Sequence, residues 1–120
     1  MTPSLPLVVA GLMGAAGVVL AAASAHVAPA AGLGSAAQML LVHALAVIGA
    51  TAVLDGGHLW RPLAGIARAG WIVGALLFAG DIALRAFTSH RLFPMAAPAG
   101  GTILIASWLA FAAAAAAGRR

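Results

Sequence analysis

An all-α membrane bundle of four transmembrane helices is the fold class this sequence predicts, and three observations predict it. Hydrophobic residues make up 64% of the 120-residue chain and charged residues 7%, against about a quarter charged in ordinary soluble domains. Four apolar runs follow one another, each close to the roughly 20 residues needed to cross a bilayer. Short stretches rich in Pro, Gly and Arg separate them. Those runs consume the length, so residues 1–120 are expected to form a single transmembrane domain with no soluble part.

The net charge of +4 comes from six arginines and two aspartates, with no Lys or Glu. Nucleic-acid binding is not expected, because it needs clustered basic residues on a solvated face. Here the arginines flank apolar segments, where positive charge sets orientation. No cysteine is present, which excludes disulfides, thiolate catalysis and Cys-based metal sites. Histidine and aspartate remain for any chemistry.

Helix one is expected over 5–26. Its apolar run ends in Ala-Ser-Ala, as a cleavable signal peptide would, but no Lys or Arg precedes it and the run is long enough to span. Gly11, Gly14 and Gly17 recur every three residues, and Gly17, Ala21 and Ala25 every four. A helix side this bare lets another backbone approach closely, and such packing through small residues drives helix association in lipid. His26 closes the helix, and the connection VAPAAGLGS, with Pro29, Gly32 and Gly34, punctuates the turn.

Helix two is expected over 35–54, placing His43 about 12 Å below its start. The next loop holds Asp55, Gly56, Gly57, His58, Trp60, Arg61 and Pro62. His58 reads as a solvated loop histidine without a role. Arg68 leads into helix three, expected over 65–87, and Trp60 and Trp71 suit an interfacial aromatic belt. The loop TSHRLFPMAAP carries His90, Arg91, Pro94 and Pro98, and helix four is expected over 99–118, stopped by Arg119 and Arg120. Its Ala112 to Ala117 tract is weakly hydrophobic, so much of this helix is expected to pack against protein.

Four crossings place both termini and the second loop on one side, with Arg61, Arg68, Arg119 and Arg120, against Arg85 and Arg91 on the other. The bias points to cytoplasmic termini in a multi-pass membrane protein.

Asp81 and Arg85 stand four apart within helix three, where they stack on one face and can pair. Gly70 and Gly74 lie eleven residues before them, close to three turns, so the glycines and the charged pair share one stripe facing the bundle interior. His26, His43, Asp81 and Arg85 come to the extracytoplasmic layer from three helices, forming a candidate intramembrane polar cluster. A charge inside a span costs about 2.5 to 3.5 kcal/mol at mid-membrane, which marks it as a candidate functional site. A structural ion pair locking helix three and a functional site stay open side by side. Two histidines and a carboxylate form one known metal-binding pattern, but His26, His43 and Asp81 have no motif spacing and Arg85 competes for the carboxylate. No metal or cofactor is therefore expected. A paired-histidine haem is disfavoured by the difference of about 12 Å in depth.

A candidate anion or lipid-headgroup site lies at the start of helix four, where Gly100, Gly101 and Thr102 would present amides near Arg85, His90 and Arg91.

The segments GAAGVVLAAASAH, VHALAVI, AGWIVGALLFAGDIAL and FPMAAPAGG together resemble the YgdD-type small inner-membrane proteins of bacteria, a family of unknown function. The resemblance covers nearly the whole chain and implies a four-helix membrane fold. It carries over His26, His43, Gly80 and the Pro98-Ala99-Gly100-Gly101 turn, and implies no activity. The chain departs from the family pattern at Ser24, where glycine commonly stands, and at Val27 after His26.

The functional expectation is a non-enzymatic accessory or assembly subunit packed against a larger membrane complex, with membrane lipid and other membrane subunits or further copies of itself as partners. The alternative is a small transporter or proton-coupled channel using Asp81, His43 and Arg85 as a relay. An enzyme ranks below both, because Ser24, His26 and Thr102 do not assemble into nucleophile, base and open site.

Overall fold

Proline placement explains where the helices begin. In the computed structural model, which describes residues 2–27 and 32–118, the helices are α1 (Leu5–His26), α2 (Leu33–Asp55), α3 (Arg61–Thr88) and α4 (Ala96–Ala117). Each is long and apolar enough to cross a membrane, and no strand occurs among the described residues. The chain is a multi-pass membrane protein. Pro29, Arg119 and Arg120 lie outside the described residues.

α3 and α4 start four and three residues earlier than the sequence suggests. Pro62 and Pro98 read as loop residues, yet both sit in the first helical turn. There the missing N–H would have had no intrahelical partner, so proline costs nothing. α2 likewise begins at Leu33, directly after Gly32, whose φ of 93° is a left-handed turn conformation suited to glycine. A side chain at Gly32 would also meet Ile82 of α3 at 3.1 Å.

The helices stack in chain order. α1 packs on α2, α2 on α3 and α3 on α4, whereas α1 barely touches α3 and does not meet α4. The bundle is therefore open, with α1 and α4 as its edges. A buried seam of Leu33, Ala36, Leu40, Ala44 and Val47 on α2 meets Ala10, Met13 and Leu20 of α1 on one side and Trp71, Ala75 and Ala79 of α3 on the other.

Glycine sets the closest approaches. A Cβ on Gly74 would come within 2.9 Å of Gly100 O, and one on Gly100 within 2.7 Å of Gly74 O, so α3 and α4 cross backbone to backbone there. Gly70 in turn faces Ser107 of α4. On α1, Gly17 lies against Leu41 and Ala37 O of α2, but a Cβ on Gly11 or Gly14 would meet no other part of the described residues within 4 Å. The expected glycine packing face thus divides within the chain. Three residues at about 100° each leave a glycine roughly 60° short of the previous one, so the stripe rotates away from α2 as it runs back from Gly17.

Candidate functional site

Asp81 is buried on α3, seven residues before that helix ends, and both its oxygens are engaged. Oδ1 accepts the Leu92 N–H at 2.9 Å, and Oδ2 lies 3.3 Å from Arg85 Nη2. The carboxylate therefore pins the middle of the α3–α4 connection as well as pairing along the helix. That connection leaves α3 through Ser89 and enters α4 through Met95, both left-handed at φ 63° and 69°. Two such non-glycine residues, each strained by roughly 1–3 kcal/mol, need an anchor between them, and Asp81 supplies one. The Arg85 side chain is 41% exposed, so its share of the pair is screened and worth little.

His43, 3% exposed, sits ten residues into α2, about 15 Å from its start. Its Nδ1 lies 2.7 Å from Met39 O, and its Nε2 accepts the Trp108 Nε1–H at 3.1 Å. A neutral ring with its proton on Nδ1 satisfies both contacts. Trp108 continues into an aromatic cluster on the α3–α4 side. Its ring centroid lies 4.5 Å from Trp71, and Trp71 is 5.2 Å from Phe111. Trp71 is 1% exposed and its Nε1 is buried without a hydrogen-bond partner. It is thus a core residue rather than part of an interfacial belt. Because α3 begins at Arg61, Trp71 lies ten residues, roughly 15 Å, inside the helix. Trp60, 38% exposed just before α3, fits the belt.

The expected four-residue polar cluster does not assemble. Asp81 and Arg85 meet; His43 is spent on Met39 and Trp108; His26, at the exposed end of α1, has no hydrogen bond among the described residues. No group of three His, Asp or Glu side chains able to hold a metal forms among the described residues.

The residues expected to form an anion site at the start of α4 do not come together, for a related reason. The helix starts at Ala96, so Gly100 and Gly101 are already inside it. Gly100 is buried against Gly74 and Phe78, and the Thr102 hydroxyl donates to Pro98 O at 2.9 Å. His90 bonds locally to Thr88, and Arg91 is exposed. The arginines and the glycines therefore do not converge on one ligand position.

Several polar side chains escape a reading of the sequence. Arg68, expected to lead into helix three, lies two turns inside α3 and donates to Thr51 Oγ1 at 3.1 Å, while Thr51 donates to Val47 O at 2.7 Å. Ser107 donates to Ile103 O at 2.7 Å. The Trp60 N–H reaches Ala114 O at 3.1 Å, tying the α2–α3 connection to the end of α4. The Arg68–Thr51 and Trp60–Ala114 contacts depend on which helices meet, which the sequence pattern does not mark.

No curated protein and no solved structure matches the chain. A family model described as "Protein of unknown function (DUF423)" matches residues 13–101. That span includes His26, His43, the Asp81–Arg85 pair and the Gly74–Gly100 crossing, and stops before Trp108. It covers well over half of the length, and the chain belongs to this DUF423 family of proteins of unknown function.

Proposed function

We propose that the protein is a non-enzymatic subunit of the bacterial inner membrane that docks through its α1 edge against other membrane protein and helps to assemble or hold a larger complex. One observation carries this reading. Gly11 and Gly14 face open space on an edge helix whose Ala15, Val18 and Ala22 are also exposed. Lipid tails gain little from a strip of bare backbone, whereas a second helix gains close van der Waals contact along it. The exposed alanines Ala112, Ala113, Ala115 and Ala116 on the other edge offer a second weakly hydrophobic face.

The polar groups favour the same reading. His43, Thr51, Asp81 and Ser107 each spend their hydrogen bonds on their own helix, a neighbouring helix or the α3–α4 connection, which supports a reading without a catalytic constellation. A proton relay through Asp81, His43 and Arg85 has less support. Both His43 nitrogens are engaged away from Asp81, and both Asp81 oxygens away from His43. The cytoplasmic placement of the termini rests on Arg61, Arg68, Arg119 and Arg120 against Arg85 and Arg91.

The test is purification of the tagged full chain in mild detergent. A second membrane protein at fixed stoichiometry supports the proposal; the chain recovered alone or only as its own oligomer sinks it.

A further inference from the structure

The end of the bundle opposite the Asp81 loop holds two arginines that no carboxylate of the described chain neutralises. Arg61 opens α3 and donates from Nη1 to Leu54 O at 2.9 Å. Arg68 donates from Nη1 to Thr51 Oγ1 at 3.1 Å. Among the described residues the ion pair present is Asp81–Arg85; Asp55, at the end of α2, is exposed and pairs with neither arginine. A guanidinium carries five N–H donors, so most donors on both arginines are uncommitted.

The two share one stripe. Seven residues are nearly two turns, so Arg61 and Arg68 leave the same face of α3, toward α2, about 10 Å apart along the axis. Between them on that face stands Gly65, where an added Cβ would find nothing within 4 Å. Arg68 is half-buried, and its partner Thr51 lies one turn inside the end of α2. A long arginine side chain this close to the end of a span can snorkel to the headgroup level. Trp60, exposed beside Arg61, suits the same level.

Basic residues clustered at the end of a span attract anionic headgroups, and phosphate is the anion that the bilayer itself supplies there. A zwitterionic headgroup brings no net charge, so it leaves both arginines uncompensated. We propose that Arg61 and Arg68, with the bare surface of Gly65 between them, bind the phosphodiester headgroup of an anionic glycerophospholipid. This site is independent of the α1 docking edge and lies at the opposite end from the α4 start.

The test uses the full chain in mild detergent, with native mass spectrometry after adding phosphatidylglycerol or phosphatidylcholine. Phosphatidylglycerol is expected to be retained in preference. Arg61→Gln and Arg68→Gln should each weaken retention about fivefold, the effect of about 1 kcal/mol per basic residue near an anionic surface. Arg85→Gln with Arg91→Gln should leave it unchanged. Gly65→Leu keeps both charges and fills the open space, so it should also weaken retention, and it tests the site even if an arginine variant fails to fold. Equal retention of the two lipids, or wild-type retention by the Arg61→Gln/Arg68→Gln double variant, overturns the proposal. Displacement of the lipid by millimolar inorganic phosphate overturns it in favour of a soluble-anion site.

Discussion

Trp108 donates its indole N–H to His43 Nε2 at 3.1 Å, joining α4 to α2 although the backbones of these two helices do not approach one another. The bond bridges α3 and closes an otherwise open part of the bundle. It also uses the one nitrogen of a buried histidine that Met39 O leaves free.

Trp108→Phe keeps the ring stacked near Trp71 but removes the donor. Hydrogen bonds between membrane helices average about 0.6 kcal/mol and reach about 1.7. A double-mutant cycle of Trp108→Phe with His43→Leu, read by denaturant unfolding in micelles, should return a coupling within that range. Zero coupling would mean that the bond contributes nothing to holding α4.

Asp81 anchors the loop more than it balances Arg85. Asp81→Asn retains an acceptor for the Leu92 N–H, so the loop should stay closed and tryptic cleavage after the exposed Arg91 should remain slow. Asp81→Leu leaves the Leu92 N–H unpaired, a loss of about 1–3 kcal/mol, and cleavage after Arg91 should accelerate at least about fivefold. Arg85→Gln should change stability by less than about 1 kcal/mol, since its partly exposed pair is screened.

The glycines should separate into two classes. Gly100→Leu forces a side chain onto Gly74 O and Phe78 N, where even a Cβ would come to 2.7 Å. Such overpacking is expected to cost about 2–3 kcal/mol in micelle unfolding, with loss of the α3–α4 contact. Gly11→Ala meets nothing within 4 Å and should leave the isolated chain as stable or raise its stability by up to about 1 kcal/mol through better helix propensity.

Much of the fold was legible because lipid imposes it: long apolar runs have no alternative to the helix once backbone groups must be satisfied without water. The α3 stripe was legible in part, because Gly70 and Gly74 stand at helical spacing from Asp81 and Arg85, and Gly70, Gly74 and Asp81 meet α4 or its loop. Pro62 and Pro98 misled because proline marks both a loop and a first helical turn. Trp71 misled for the same reason, since its depth depends on where α3 starts. The partners of His43 and Asp81 were beyond reach, because one is a tryptophan 65 residues away and the other a backbone amide exposed by the course of a loop. Gly11 and Gly14 show the converse: a real stripe of small residues with no partner among the described residues.

The docking of α1 is tested most directly by placing a photo-crosslinking residue at Gly11 in native membranes, with Ile66, 65% exposed on α3, as the control position. A protein adduct of one constant mass at Gly11, absent at Ile66 and lost on Gly14→Leu while micelle stability is unchanged, is the predicted result. Lipid adducts alone at Gly11, or the same protein adducts at both positions, would contradict it.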